Sequence, residues 1–184
     1  NHNVKTVTIP SSVKYIENQA FYNCDSITSI KIPNTVTEIG YCAFRDYYAL
    51  TSINIPNSVT KIGYCAFQAC ESLSSINIPN SVTEIGESAF ESCYALTSIN
   101  IPNSVTKIGE YAFSNCTSIS SITIPASVTS VGNGAFCEWE SNQTIYVHGK
   151  SSQSEADAAW GKNWRYNGYV FFDTPIKARI VYCG

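Results

Sequence analysis

One interval constrains this sequence more than any other feature: prolines recur every 23 residues, in six successive units, without an insertion or deletion. They are Pro10, Pro33, Pro56, Pro79, Pro102 and Pro125. The same interval separates six phenylalanines, each preceded by alanine: Phe21, Phe44, Phe67, Phe90, Phe113 and Phe136. Repetition at a fixed period predicts a stack of equal structural units, each of which buries its apolar side against the next.

Each unit begins with a predicted strand, and residues 50–72, LTSINIPNSVTKIGYCAFQACES, can represent all of them. Ile53 and Ile55 alternate with polar residues, which favours a short strand over residues 51–55. Pro56 follows directly, and because proline lacks an N–H group it turns the chain out of the sheet.

The rest of the unit returns the chain to its starting side. Three apolar residues are spaced by four, which predicts a short helix or 3₁₀ turn: Ile62, Ala66 and Cys70. Stacked copies would align equivalent strands in a parallel sheet with neighbours about 4.8 Å apart. The predicted fold class is therefore an α/β repeat solenoid, elongated and curved.

The two ends of the repeat array differ. Val4, Val7 and Ile9 already occupy strand columns, so we expect that an N-terminal cap is missing and that the chain is part of a longer protein. At the other end the pattern decays after a seventh strand, which places the solenoid at residues 1–148 and a C-terminal cap at residues 149–184. In the cap, Ser154 is a candidate helix N-cap and ARIVY a candidate last strand.

The unit LxxIxIPxSVxxIGxxAFxxCxx resembles the BspA-like leucine-rich repeats, over roughly residues 4–147. The resemblance implies a right-handed superhelix with a parallel sheet on the concave side and short helices or 3₁₀ turns on the convex side. It also implies secreted or cell-surface proteins of bacteria and some protozoan parasites, associated with adhesion and not with catalysis. The family has no fixed binding motif, so the resemblance assigns no site residue.

Composition excludes several classes of function. Hydrophobic residues make up 44% of the chain and charged residues 14%, with a net charge of -3, so no basic surface for nucleic acid is expected. No apolar run approaches the length of a membrane span. Only His2 and His148 could supply an imidazole, one at the terminus and one at a turn, so we predict no catalytic site, metal or cofactor.

Cysteines mostly follow the repeat. Four of them lie three residues after the repeat phenylalanine, where other units carry Tyr47 or Trp139, and we predict buried free thiols: Cys24, Cys70, Cys93 and Cys116. Two further pairs could form disulfides or remain thiols: Cys42 with Cys65 in adjacent units, and Cys137 with Cys183 on either side of the cap.

A ligand surface is expected where residues depart from the repeat pattern. The strand residues that alternate with buried isoleucines are small and nearly uncharged, with Tyr146 as the exception. Tyrosines gather on the return side of the early units, where Tyr41 and Tyr64 share a column and Tyr22 and Tyr48 lie nearby. Such tyrosines suit a protein or sugar partner, or they merely cover the phenylalanine column.

Two further patterns fit structural roles. Charges alternate in sign from unit to unit in one column, which disfavours slipped stacking: Glu38, Lys61, Glu84 and Lys107. Aromatic residues crowd the cap, where they would seal the last unit or bind sugar: Trp160, Trp164, Tyr166, Tyr169, Phe171 and Phe172.

The first hypothesis is therefore a non-catalytic module, secreted or on the cell surface, that mediates protein–protein interaction or adhesion. The alternative is a carbohydrate-binding module or rigid spacer in a larger secreted multimodular protein, for example a cellulosome-like one.

Overall fold

Each 23-residue unit forms one coil of the solenoid. Most coils contain two short strands, whereas the sequence predicted one. The computed structural model describes residues 4–167 and 174–184, so the predictions for His2, Tyr169, Phe171 and Phe172 lie outside the described residues. The elements in chain order are β1 (Thr6–Thr8), β2 (Tyr15–Ile16), β3 (Ser29–Lys31), β4 (Glu38–Ile39), β5 (Ser52–Asn54), β6 (Lys61–Ile62), β7 (Ser75–Asn77), β8 (Glu84–Ile85), β9 (Lys107–Ile108), β10 (Ser121–Ile124), β11 (Ser130–Val131), β12 (Thr144–His148), α1 (Gln153–Trp160), the 3₁₀ helix η1 (Lys162–Arg165), β13 (Tyr166–Asn167), β14 (Thr174–Pro175) and β15 (Arg179–Cys183).

The first strand of each coil forms the predicted parallel sheet. Strands β1, β3, β5 and β7 are neighbours in that order, and β10, β12 and β15 form a second group in the same column of the repeat. An isolated bridge between Ser75 and Ser98 carries the pairing from β7 into the next coil. Equivalent residues pair, as Ile53 does with Ile76, so every isoleucine faces the core and its polar neighbours face outward. The repeat-solenoid fold class is confirmed.

A second parallel sheet was not predicted. Its strands are two residues long and run in the order β11, β9, β8, β6, β4, β2. In each, an exposed or half-buried side chain precedes a buried isoleucine or valine; in β6 these are Lys61 and Ile62. Ile62 therefore belongs to a strand, and the predicted helical face of Ile62, Ala66 and Cys70 was wrong in that respect.

Turns connect this second strand back to the next coil. Ala66 N–H donates to the Gly63 carbonyl at 3.3 Å, the three-residue spacing of a 3₁₀ turn. The intervening residues instead donate to the following coil, as Cys65 N–H does to the Glu87 carbonyl at 2.8 Å. Because Cys65 (φ 51°) and Ala69 (φ 56°) adopt left-handed backbone, the turns cannot continue as a helix. Within residues 4–148 no helix forms.

Columns of identical side chains fill the interior. The six repeat phenylalanines stack almost parallel, with ring centroids 5.2–5.8 Å apart along the column from Phe21 to Phe136. The buried repeat cysteines lie beside them, and each of these thiols donates to the phenylalanine carbonyl of the preceding coil, as Cys93 Sγ does to Phe67 at 3.2 Å. Trp139 takes the same position and its Nε1–H donates to the Phe113 carbonyl at 2.9 Å. The cysteines and Trp139 thus add a hydrogen bond to the apolar bulk of this column, whereas the buried Tyr47 hydroxyl in the same column has no partner among the described residues.

Residues 149–184, the C-terminal segment, lie against the last coils. Helix α1 begins after Ser152, whose hydroxyl accepts a hydrogen bond from Glu155 N–H at 3.3 Å, so the predicted N-cap at Ser154 was wrong by two residues. The Trp164 ring meets Phe136 edge to face at 6.3 Å, and β15 pairs with β12. The division of the chain at residue 148 stays a prediction.

Candidate functional site

Exposed aromatic surface is concentrated in tyrosines. Among the described side chains, eight large hydrophobic residues are exposed, and all but Val4 are tyrosines with 38–56% of their surface accessible. They are Tyr15, Tyr22, Tyr41, Tyr48, Tyr64, Tyr94 and Tyr146. Tyr15 and Tyr94 were missed from the sequence, because Tyr15 stands in the alternating charge column and Tyr94 lies two coils beyond Tyr48 in its column, with Glu71 between them.

Tyr41 and Tyr64 form a stacked pair on the turns of adjacent coils. Their ring centroids are 5.1 Å apart and their planes differ by 12°. The two side chains follow from the coil register, which stacks equivalent turn residues directly on one another. A side-chain hydrogen bond with Cys65 raises the pKa of Tyr64 to about 12, and the charge of Glu87 adds to this shift. Both hydroxyls are therefore protonated donors at neutral pH.

Tyr22 and Tyr48 lie in other columns of the early coils. The negative charge of Asp46 raises the pKa of Tyr48, and Glu71, Asp25 and Tyr22 contribute further. These interactions place the two tyrosines in one acidic surface region. The stacked pair of Tyr41 and Tyr64 occupies a different column of the same early coils.

Tyr146 does not join those tyrosines. It lies on β12, where its neighbours across the sheet are Thr123 and Val181. Four coils separate it in the stack from the coil of Tyr64, a distance of about 19 Å at the usual strand spacing. Tyr146 is therefore remote from the four predicted tyrosines of the early coils.

A groove of about 440 Å³ starts at Tyr64 and runs across the next coils. We call it the coil groove. One side carries charged residues of the second sheet and the other carries turn residues, and the lining is Lys61, Tyr64, Glu84, Gly86, Glu87, Lys107, Ile108, Gly109, Glu110, Ser130 and Gly132. The sequence pattern gave no reason to expect a depression here.

Glycines allow the coils to approach closely beneath this groove. A Cβ atom built on Gly109 would lie 2.4 Å from the backbone nitrogen of Glu87, and one on Gly132 would lie 2.3 Å from that of Glu110. Both distances are far below van der Waals contact, so any larger residue would push the coils apart. The glycine column is thus needed for coil spacing.

The carboxylate on the sheet side of the groove is paired with lysines, whereas Glu87 on the turn side is not paired among the described residues. Glu84 accepts from Lys107 at 3.0 Å and lies 3.7 Å from Lys61, and the hydrogen bond from Lys107 leads the causes that hold its pKa below the ordinary value. Glu87, on the turn side, has no such partner among the described residues. Desolvation and the neighbouring carboxylates of Glu110 and Glu91 raise its pKa.

Thiols and histidines form no reactive cluster in residues 4–167 and 174–184. None of the eight cysteines forms a disulfide, so neither pair considered, Cys42 with Cys65 or Cys137 with Cys183, is bonded. Cys42 and Cys65 are buried side by side, and desolvation raises the pKa of Cys65 to about 12. Over the described residues, no group of histidine, cysteine, aspartate or glutamate side chains has a metal-binding arrangement, and no helix is long and apolar enough to cross a membrane.

Comparison with protein families settles what kind of repeat this is. The model of the BspA type leucine rich repeat region matches residues 1–117 and 42–159, with six copies. The chain belongs to the BspA-type leucine-rich repeat family. The resemblance drawn from the unit LTSINIPNSVTKIGYCAFQACES is therefore confirmed.

Several solved structures share this fold, among them two leucine-rich repeat proteins. A leucine-rich repeat protein of T. pallidum, TpLRR, has a TM-score of 0.73 and 26% identity, over 95% of this chain and 88% of that one. A leucine-rich repeat protein of Bacteroides ovatus has a TM-score of 0.60 and 26% identity, over 97% of this chain and 51% of that one. The pneumococcal vaccine antigen PcpA, 17% identical with a TM-score of 0.68 over 98% of this chain and 42% of that one, shares the fold. No curated protein matches the chain. Family and fold indicate a repeat-based binding module.

Proposed function

We propose that this chain is a non-catalytic module, secreted or on the cell surface, that binds a protein partner and so mediates adhesion. The observation that supports it most directly is the tyrosine surface of the early coils, defined here as Tyr22, Tyr41, Tyr48 and Tyr64. Tyrosine is enriched in protein interfaces because it offers a large apolar area and a hydroxyl at little cost in side-chain entropy.

The stacked pair is the centre of the proposed contact. Tyr41 and Tyr64 hold each other in position at 5.1 Å, so a partner would order few additional rotamers on binding them. The outward residues of the first sheet, such as Ser52 and Asn54, are small by contrast and offer little area to a partner. We therefore place binding on the turn side of the coils and not on the sheet.

Carbohydrate is the second candidate ligand, because two exposed and parallel tyrosine rings also resemble a sugar-stacking platform. The row ends after these two rings, since the next residue in the column is Glu87. A platform of this length would hold one or two sugar rings. The protein hypothesis uses more of the surface, including Tyr22 and Tyr48.

An array experiment tests the proposal. The chain would be probed against purified extracellular proteins and against glycans, as wild type and as the double variant Tyr41→Ser, Tyr64→Ser. We expect a protein ligand whose affinity falls at least about tenfold in the double variant, as for central interface tyrosines. Tyr94→Ser is the matched control, because Tyr94 is equally exposed, at 41%, but lies outside the tyrosine surface.

Binding to glycans with no protein ligand would contradict the protein proposal and favour the sugar alternative. Equal loss of affinity in Tyr94→Ser would show that the contact lies elsewhere.

A further inference from the structure

The column that contains Tyr41 and Tyr64 changes its chemistry at the coil groove. Tyr41 covers one face of Tyr64, and the next coil places Glu87 on the opposite side, where a third ring would otherwise stack. Glu110 follows in the coil after that. All three of the residues Tyr64, Glu87 and Glu110 line the groove. The column therefore ends in one uncovered aromatic face beside two carboxylates.

Charge in the groove is incompletely neutralised. Three carboxylates and two ammonium groups line it, and both ammonium groups, of Lys61 and Lys107, lie closest to Glu84. Glu110 accepts one long hydrogen bond from Asn133 Nδ2, at 3.4 Å, and no cation contacts Glu87 or Glu110 among the residues that the structure describes. Their mutual repulsion contributes to the raised pKa of Glu87. A cation placed between them would relieve this repulsion.

The same molecule shows which cation suits such a setting. In the C-terminal segment, the Arg165 guanidinium lies 4.9 Å from the Tyr166 ring centroid and bonds both carboxylate oxygens of Asp157, at 3.2 and 3.1 Å. A planar guanidinium can stack on an aromatic ring while its N–H groups reach carboxylates at the ring edge. Tyr64, Glu87 and Glu110 supply the ring and the carboxylates of this arrangement but not the arginine.

We infer that the coil groove binds a basic segment of the partner protein, with one arginine side chain stacked on the free face of Tyr64 and its guanidinium held by Glu87 and Glu110. This inference rests on the proposed function, since it names the chemistry of the protein partner. Tyr64 then belongs to both the tyrosine surface and the groove, and it joins the apolar part of the contact to the charged part.

Titration with a defined probe tests the inference. The probe is a blocked pentapeptide with one arginine between glycines, and its partner probe replaces arginine by citrulline, which has the same shape without the charge. Binding would be followed by NMR through the backbone amides of Gly86 and Gly109 in the groove. We expect the arginine peptide to shift these amides and the citrulline peptide to bind at least about tenfold more weakly.

Variants of the exposed groove residues locate the site. Glu87→Gln is expected to weaken the arginine peptide about tenfold, and Tyr64→Leu about threefold. Glu17→Gln is the matched control, because it removes the same charge from an exposed carboxylate of the first coil that does not line the groove. Its affinity should equal that of wild type, and melting temperatures of all variants would confirm that each is folded.

Three results would overturn the inference: equal binding of the citrulline peptide, equal loss in Glu17→Gln, or preferred binding of a glutamate peptide through Lys61 and Lys107. The array experiment keeps the two proposals separate. A protein ligand that needs Tyr41 but is unaffected by Glu87→Gln would overturn the arginine site and leave protein binding supported.

Discussion

The two ends of the solenoid are built from the same repeat but are covered very differently. At the C-terminal end Phe136 is fully buried, because Trp139 and Trp164 pack edge to face against its ring at 5.3 and 6.3 Å. At the N-terminal end Phe21 is only half-buried and lines an apolar cavity of about 290 Å³ together with Val7. The repeat sequence alone therefore does not bury its own core; a neighbour on each side does.

Backbone pairing follows the same contrast. Strand β12 has a partner on both sides, β10 and β15, whereas within the described residues β1 pairs only with β3. The turn of the last coil is covered too, since Gly134 N–H donates to the Asn163 carbonyl at 2.9 Å. We expect local stability to rise from the first coil toward the last.

Removing the tryptophan that covers Phe136 should have the largest effect on stability. Trp164→Ala exposes the end of the phenylalanine column, and we expect the free energy of unfolding in urea to fall by about 4 kcal/mol. Phe21→Ala, at the opposite end of the same column, should cost about half as much because its side chain is already partly exposed. Equal losses in the two variants would contradict the proposed difference between the ends.

Loss of the ion pair between Asp157 and Arg165, beside Trp164, should have the second largest effect on stability. Asp157 accepts from Arg165 and from Trp164 Nε1 at 3.1–3.2 Å, and both charged side chains are mostly buried. Asp157→Asn should therefore destabilise the protein by about 3 kcal/mol. Glu140→Gln is the control, because its pair with Lys177 in the same region is exposed and should contribute little.

Acid titration sharpens this test. Burial raises the pKa of Asp157, but the bonds from Arg165 and Trp164 outweigh it and hold the pKa below its ordinary value. A carboxyl group with a lowered pKa stabilises the fold above its unfolded-state pKa, about 3.9, and this contribution is lost as pH falls through the folded-state pKa. Unfolding of the wild type should become easier below about pH 4, and Asp157→Asn should lack that component.

Close coil packing should matter more in the middle of the stack than at its start. An added Cβ at Gly109 meets backbone on a coil held from both sides, and we expect Gly109→Ala to cost about 2–3 kcal/mol. At Gly40 the added Cβ would lie 2.8 Å from the Asn18 side chain and the Ile16 carbonyl of the first coil, which has room to shift. Gly40→Ala should cost about 1 kcal/mol. The melting temperatures of the two variants would show the order, and its reversal would contradict this interpretation.

Surface ion pairs should have the smallest effect. Lys107→Met removes the 3.0 Å bond to Glu84 in the central coils, and Lys177→Met removes the 3.0 Å bond to Glu140 near the C-terminal segment. Each change should cost about 0.5 kcal/mol and less in high salt, with little difference between the two positions. A loss above 1 kcal/mol for Lys107 alone would indicate that the charge column does more than discourage slipped stacking.

Much of the fold could be predicted because each residue repeats its environment from coil to coil. The strand at Ile53 followed from two-residue alternation and the turn after it from Pro56. The second sheet was missed because β6 is only Lys61–Ile62, too short to show alternation. A four-residue spacing on the return path then favoured a helix, whereas the left-handed backbone at Cys65 and Ala69 depends on bonds to the next coil.

The candidate site was less accessible to sequence reasoning. The stack of Tyr41 on Tyr64 could be predicted, since residues 23 positions apart meet in adjacent coils. The separation of Tyr146 from them also followed, since Tyr146 falls on a predicted strand and the other tyrosines fall on the return path. The groove depends on side-chain lengths around a glycine column, which the repeat pattern does not specify.

The cross-coil bonds have a mechanical consequence. Each coil is held by hydrogen bonds to its immediate neighbours, as Phe67 N–H donates to the Ala89 carbonyl and Phe44 N–H to the Ala66 carbonyl. A chain pulled at both ends would therefore unfold one coil at a time. The unfolding of each coil extends the same 23 residues and lengthens the molecule by about 75 Å. A molecule built this way would yield under load in equal steps, so it could absorb a pull without losing all of its coils at once.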